Sequence, residues 1–524
     1  MSYKTAKYIT LWSKTGVFSK GMIDNTQNLY LNEWASPYLR NARLDWQSII
    51  IRPWHTLAKE LTAWGYPKGI GSYLQSTVSN DRIVIRHNQD TTKKLVTLTE
   101  ALVLAEIDTS TDIASDNKMT FLNIANVIYC MNWVDEFWKL SWTTYTTPAT
   151  WIANFSPSFG VSFNGSHWAS GWSDNPNIVY KSVADDYEDF SSAWSDTFTF
   201  QETITWLSAN NQALFYFTNN TIAVTWTWDI TDTAWTITYA NRWLEVKEWA
   251  VNHYSIVEAW NRIFFLTPSN KINIVAKWQS IDWFEVMELS ERKYAWISTI
   301  MSMLDKDQID SFWYFLPKEN LIKWFLKSDW ASFNDTCIIY DIIKDAFLVD
   351  WQKYFYDWLN FKWKNYTLSM IEAKVYQDEY GQDDEDSIIP FEYWTKEFYI
   401  SEPTYKKIFR ETRTLLDINE LAWLQQEIYI DWWSKDLKTA YGDNITINIW
   451  WIWTDAIWEN PIWESWEEPT MEEIYILRTK WNLNIRGRKI QFRFTNNTLA
   501  WKVRLKAISV KIEWLPGLTS NLTT

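Results

Sequence analysis

The chain has 524 residues, with 49 Lys and Arg against 64 Asp and Glu and a formal net charge of −15, which argues against a generic nucleic-acid coat because phosphate binding needs concentrated cations. Its 2 cysteines, Cys130 and Cys337, stand too far apart in sequence to indicate a disulfide framework or a zinc site, and they read as two buried structural thiols compatible with folding in a reducing compartment. No signal peptide is evident, and no apolar run approaches the roughly eighteen residues a membrane span requires.

In chain order, residues 1 to about 28 read as an irregular arm, followed by a segment of separate character from Leu29 to Gln75 that contains a strand-like Ser48-Ile49-Ile50-Ile51. From about residue 80 to 370 short apolar or alternating runs recur between turn residues: Arg82 to Arg86, Ala101 to Ile107, Ala125 to Cys130, Gly160 to Phe163, Ile178 to Ser182, Ala213 to Thr218, Ile222 to Thr225, Ile263 to Leu266, Ile272 to Val275, Tyr314 to Leu316, Cys337 to Tyr340 and Ala346 to Leu348. Many short strands at this spacing point to a propeller, barrel or sandwich rather than a parallel α/β sheet. The underlying repeat is too degenerate to give a blade count. An acidic loop at Tyr380-Gly381-Gln382-Asp383-Asp384-Glu385-Asp386 closes this region. Beyond it Gln491-Phe492-Arg493-Phe494 alternates as a half-buried strand. In the last strand Val503, Leu505 and Ala507 hold one phase and Ile508, Val510 and Ile512 the other, so a bulge near Ala507-Ile508 is expected. Helix is scarce, with His55 to Ala63 and Asn419 to Gln426 as short candidates. The expected fold is all-β: an N-terminal arm and segment over 1–79, a propeller-like body of short antiparallel strands over 80–389, and a C-terminal β-sandwich over 390–524.

One compositional feature cuts across all of these segments. The chain has 41 Trp and 12 Gly, whereas glycine at its ordinary frequency of roughly 7% would supply about three dozen. Asp-Gly, a strong hairpin signal, does not occur at all, yet Asp precedes Trp at Asp45-Trp46, Asp282-Trp283, Asp329-Trp330, Asp350-Trp351, Asp357-Trp358 and Asp431-Trp432. The stretch Ile449-Trp450-Trp451-Ile452-Trp453-Thr454, followed by Trp458, Trp463 and Trp466, makes an ordinary loop only if glycine stands at the indole positions. A residue with a Cβ held in the left-handed region costs roughly 1–2 kcal/mol, so ten such sites would offset the whole stability of a typical domain, about 5–15 kcal/mol. These patterns read as a gene that uses UGA for glycine, as some bacterial lineages and their phages do, decoded with UGA as tryptophan. Trp168 and Trp324, each beside apolar strand residues, are candidates for genuine tryptophan. The competing reading is a truly Trp-rich chain whose rings stack on sugars.

Chemistry-bearing patterns are few. The histidines His55, His87, His167 and His253 show no metal-ligand spacing and read as surface or turn residues. No nucleophile elbow or phosphate-cradling loop is present, with or without the Trp-to-Gly exchange. Carboxylates cluster at Asp185-Asp186-Tyr187-Glu188-Asp189 and Asp383-Asp384-Glu385-Asp386, and such runs are ordinarily solvated loops rather than Ca²⁺ or glycosidase sites. No catalytic, cofactor-binding or metal-binding residue is therefore expected, and no enzyme.

Certain residues resemble a family. Glu33-Trp34-Ala35-Ser36-Pro37, Arg40-Asn41 and Arg52-Pro53-Trp54, read with glycine at 34 and 54, resemble the start of phage tail proteins built as propellers, including the nozzle and portal-proximal hub proteins of short-tailed phages. Gly160-Val161-Ser162-Phe163, leading through Trp168 and Asn175-Pro176-Asn177-Ile178-Val179-Tyr180-Lys181-Ser182 to Asp189-Phe190, does so as well. The resemblance spans about residues 30 to 370. It implies a virion structural protein, folded in the host cytoplasm and forming part of a ring of its own copies around the DNA exit channel. Its expected partners are the portal or adjacent tail proteins and, transiently, passing DNA, with no membrane. The alternative it leaves is a carbohydrate-binding protein or adhesin.

Overall fold

The computed structural model describes residues 7–10, most of 38–419, and 425–430, 474–496 and 503–514; short internal stretches such as 46–47, 62–65, 108–112, 227–230, 278–283, 291–294, 381–388 and 401–406 fall outside the description, as does 431–473. The chain divides into two compact units, one of residues 55–343 and 350–380, the other of residues 1–54, 344–349 and 381–524.

The first unit is a propeller of seven sheets among the described residues, its inner strands contacting one another in a closed ring. Blade 1 runs Pro67–Tyr73, Arg82–Gln89, Thr92–Thr99 and Leu104–Ile107. Blade 2 runs Thr120–Ile124, Val127–Met131, Trp138–Ser141 and Thr144–Thr146. Blade 3 runs Phe159–Phe163, Ser166–Ser170, Ile178–Lys181 and Asp196–Thr199. Blade 4 has Ile204–Ala209, Ala213–Thr218, Ile222–Trp226 and Asn241–Leu244, with the hairpin Thr231–Thr233 and Thr236–Thr238 inserted before its last strand. Blade 5 has Ile256–Ala259, Arg262–Leu266, Ile272–Lys277 and Phe284–Glu288. Blade 6 contributes Phe312–Leu316, Leu321–Lys327 and Asn334–Asp341 to this unit. Blade 7 has Phe355–Phe361, Lys364–Ser369 and Lys374–Asp378, and is completed by Thr56–Glu60 from the front of the chain.

Position within a blade explains the residue patterns. A second strand is covered on both faces, so Ala213–Thr218 is buried at every position and reads as a continuous apolar run. The outermost Asp196–Thr199 alternates half-buried with exposed. The core lies between blades: Ile83, Ile85, Val96 and Leu98 of blade 1 pack on Phe361, Tyr366, Leu368 and Val375 of blade 7, and Phe159, Phe163 and Trp168 of blade 3 pack on Leu207, Leu214 and Tyr216 of blade 4. Cys130 and Cys337, expected as buried thiols, are both buried and form no disulfide.

The second unit holds two sheets. One runs in the order Ala42–Asp45, Ser48–Ile51, Val503–Trp514, Lys407–Asn419 and Ile474–Gly487, with Lys7–Thr10 also pairing to Val503–Trp514. The other joins residues 346–349 in parallel to Tyr38–Arg40, then Phe391–Trp394, Ile490–Asn496 and Gln425–Ile430 in antiparallel order. The expected bulge in the last strand is there: Leu415 faces Ala507 while the next residue, Leu416, faces Leu505, and Ile508, Val510 and Ile512 are buried.

Several expectations need correction. The stretch His55 to Ala63 is not a helix: Thr56–Glu60 is a strand, because pairing with Lys374–Asp378 and burial of Leu61 in the blade 1–blade 7 core outweigh local helix propensity. Asn419 to Gln426 begins and ends in strand, with 420–424 outside the described residues. An α-helix does occur at Ala295–Ser302, where none was expected. Within the arm of residues 1–28, Lys7–Thr10 is a strand. The compact units also differ from bodies drawn at 80–389 and 390–524. The propeller takes in the chain from His55, and the two-sheet unit draws strands from both ends of the chain.

Candidate functional site

The described polar groups concentrate at the start of the inner strands, where the seven blades face the propeller axis. Lys118, just ahead of the inner strand of blade 2, lies 3.3 Å from Asp357 Oδ1 of blade 7 and donates to Tyr356 O at 3.1 Å. Its ammonium sits 3.7 Å from the ring centroid of Tyr254, 4.9 Å from that of Tyr356 and 5.3 Å from that of Phe312. Asp357 Oδ2 accepts from Ile70 N of blade 1 at 3.2 Å, and Lys68 of blade 1 lies 4.7 Å from the Tyr356 ring. The remaining side is aromatic: His253, in the short helical turn His253–Ser255 that leads into blade 5, stacks on Trp206 of blade 4 at 5.2 Å and lies 5.8 Å from Phe159 of blade 3. Thr120 Oγ1 of blade 2 and the Tyr254 hydroxyl are 3.5 Å apart. Blades 2 and 5 are not neighbours in a ring of seven, so the Lys118–Tyr254 and Thr120–Tyr254 contacts cross the axis. All seven blades thus contribute a side chain to one cluster at this end of the inner strands.

The electrostatics are those of a buried pair in an aromatic wall. Burial pulls the Lys118 ammonium below its ordinary range and pushes the Asp357 carboxyl above its own, each effect offset in part by the other group. Burial, with the neighbouring Lys118 charge, lowers His253 to about 3, so its ring is neutral. The cation lies against three rings, and the carboxylate is held by the cation and the amides of Ile70 and Trp358. This arrangement is suited to fixing the inner strands.

A second buried ionic cluster joins blades 6 and 7. Lys323, fully buried, lies 2.5 Å from Asp378 Oδ2 and also pairs with Glu379, while the Tyr314 hydroxyl donates to the same Asp378 oxygen and its ring stacks on Trp358 at 4.5 Å. A cleft of about 440 Å³ lies where blade 2 passes to blade 3, lined by Glu136, Thr147, Pro148, Thr150 and Phe155 among others; among the described residues lining it, Glu136 is the one ionisable group.

The sequence-derived candidates fall as follows. His55, His87 and His167 are buried, which corrects their reading as surface or turn residues. His55 packs edge-on between Phe355 at 5.1 Å and Tyr376 at 4.9 Å. His167 lies among Tyr129, Phe137 and Phe190, with Nδ1 3.2 Å from Tyr187 O and Nε2 buried with no hydrogen-bond partner. A neutral imidazole with its proton on Nδ1 behaves here as one more aromatic ring, and burial lowers its pKa to about 4. In the run Asp185 to Asp189, Glu188 pairs with Lys139 at 2.6 Å and Asp189 accepts from the amides of Ser191 and Ser192, so these acids shape a turn. Among the described residues no group of three or more His, Cys, Asp or Glu is placed to hold a metal ion, and no helix is long and apolar enough to cross a membrane. Asp383 to Asp386 lies outside the described residues. The axial cluster had no signal in the sequence: Lys118 and Asp357 are 239 positions apart by their numbers, and the Asp357-Trp358 pair was singled out for a different reason.

No family model and no curated protein matches the chain. Similar solved structures include a catalytically inactive virginiamycin B lyase from Staphylococcus aureus with quinupristin, 13% identical over 62% of this chain and 98% of that one, with a TM-score of 0.35. Others are YCF48 bound to a peptide, 11% identical over 62% of this chain and 98% of that one with a TM-score of 0.37, and PorZ, a surface component of the type-IX secretion system of Porphyromonas gingivalis, 9% identical over 66% of this chain and 43% of that one with a TM-score of 0.36. Likeness at this level carries nothing about activity, ligand or partner.

Proposed function

We propose that the chain is a virion structural protein of a phage tail, folded in the host cytoplasm, whose copies form part of a ring around the DNA exit channel against portal or adjacent tail proteins. The observation that supports this reading most is the axial cluster: the inner strands of all seven blades give polar or aromatic side chains to one another rather than to an open site. In this reading the conduit lies between copies, and the chain has no catalytic role. The residues that resemble tail proteins, Gly160 to Phe163, Trp168, Asn175 to Ser182 and Asp189-Phe190, belong to blade 3 and its turns, where they shape and pack a blade, as an assembly protein requires. A net charge of −15 suits a conduit that must release passing phosphates. UGA decoding as glycine belongs to the same reading, as a property of the phage and its host.

Electron microscopy of the purified full chain tests the proposal: closed rings of uniform order are expected, and monomers at every concentration would sink it. Carbohydrate binding is the second reading, favoured by the exposed indoles of Trp243, Trp260, Trp330 and Trp363. Glycan-array binding by the monomer that disappears when these rings are replaced would decide for it.

A further inference from the structure

We infer that the polypeptide specified by this gene carries glycine at positions 133, 260 and 363 and tryptophan at 168. The first three are left-handed: φ is 60° at Trp133, 50° at Trp260 and 66° at Trp363. For a bulky side chain this region is a true outlier, while glycine enters it freely.

The blades provide an internal control. In blade 3 the strands Phe159–Phe163 and Ser166–Ser170 pair Phe163 with Ser166, leaving a two-residue turn, Asn164-Gly165, at φ 50° and 73°. In blade 7 the equivalent pair is Phe361 with Lys364, and the turn is Lys362-Trp363 at φ 48° and 66°. In blade 2 it is Ile124 with Val127, around Ala125-Asn126 at φ 50° and 66°. Both φ values are positive in each, the requirement of a type I′ turn, whose second position strongly favours glycine. One backbone position, repeated from blade to blade, therefore holds Gly165, Asn126 and Trp363. Trp260 opens the corresponding turn of blade 5, between Ala259 and Arg262. Trp133 follows Asn132, whose side-chain oxygen accepts from the amides of Val134 and Asp135, the geometry of a tight Asx turn.

Burial separates these positions from a genuine tryptophan. Trp363 is 83% exposed, Trp260 59% and Trp133 48%, whereas Trp168 is 0% exposed. The indole of Trp260 reaches Asn320 Oδ1 at 2.8 Å, but on the surface, where such a bond contributes little. Trp168 donates from Nε1 to Phe163 O at 3.0 Å and packs on Phe198 and Tyr216, so its indole fills space that glycine would leave empty. Its backbone is ordinary strand.

The inference does not depend on the tail role, and its readouts are separate from ring formation. Tandem mass spectrometry of the protein from its native source, with the codons of the gene beside it, is the test. Glycine residues encoded by UGA at 133, 260 and 363, with tryptophan encoded by UGG at 168, are expected. UGG at any of the first three, or an indole-bearing peptide there, overturns the inference, as does glycine at 168. An independent arm compares single variants of the chain as written: Trp363→Gly should raise the unfolding midpoint by about 2 °C or more, and Trp168→Gly should lower it by more than that. A lowered midpoint for Trp363→Gly would also overturn the inference.

Discussion

At the scale of single residues, burial and backbone angle decide what each aromatic or ionisable group does. Truncating Trp168, which is fully buried and hydrogen-bonded through its indole, is expected to cost about 3–5 kcal/mol, read as a lower urea midpoint. For His167 the sign follows from its lowered pKa. Above about pH 6.5 the ring is neutral in both folded and unfolded chains. As the pH falls from there to about 4, the unfolded chain takes up a proton that the folded one refuses, so stability falls by up to about 3 kcal/mol. Denaturant titrations across that window should show a shallower acid loss in His167→Gln. Lys118→Met would leave the Asp357 carboxylate buried beside rings with no cation, held by the Ile70 and Trp358 amides. A loss of about 3–5 kcal/mol is expected, and a smaller one when Asp357→Asn accompanies it; calorimetry of both variants checks this. Of these residues only Trp168 stood out in the sequence, as an indole beside apolar strand residues. A histidine without ligand spacing looks like a surface residue, and only the surrounding Tyr129, Phe137 and Phe190 make His167 a core ring.

At the scale of elements, the strand Thr56–Glu60 carries most of the consequence, since it supplies the outer strand of blade 7 and joins the first described propeller strand to the last. Leu61, immediately after it, is buried against residues of blades 1 and 7. Leu61→Ala should cost about 2–5 kcal/mol, and limited proteolysis should then cut earliest around the blade 1–blade 7 seam. A different sign of pH dependence comes from Glu258 in the inner strand of blade 5, whose carboxyl burial pushes up to about 7. Below about pH 4.5 it is protonated in both states; as the pH rises from there to about 7 the unfolded chain loses a proton that the folded one keeps, so stability falls, by at most about 3 kcal/mol, and levels off above 7. Glu258→Gln should flatten the stability–pH curve between about pH 4.5 and 7. Most strands were legible because alternating or continuous apolar runs bounded by turn residues report burial directly, as in Ala213–Thr218 and Ile490–Asn496. The segment after His55 misled because strand formation there is imposed by a partner more than 300 positions away. Of the Asp-Trp pairs, Asp329-Trp330 is a turn while Asp350-Trp351 and Asp357-Trp358 lie in strands. The tryptophans at 46, 283 and 432 lie outside the described residues. Asp before Trp is thus a weaker turn signal here than left-handed φ.

For the whole molecule, the net charge of −15 sets like-charged copies against one another in any ring. Under the proposed function, assembly should strengthen as salt rises from about 0.01 M to 0.15 M, because the screening length shrinks from about 30 Å to 8 Å. Sedimentation velocity across that range checks it, and rings that dissolve with added salt would point instead to assembly held by opposite charges. The sequence by itself determined that the chain is all-β and that its strands are short and antiparallel. Each of these is a local property, carried by side-chain period and turn chemistry within a few residues. Only the tertiary structure decided that the blades number seven among the described residues, that an early strand completes the last blade, and that Lys118, Tyr254, Tyr356 and Asp357 meet on the axis. Ring closure and cross-axis contact join residues far apart in the chain, and no local pattern encodes which distant blade a side chain will face.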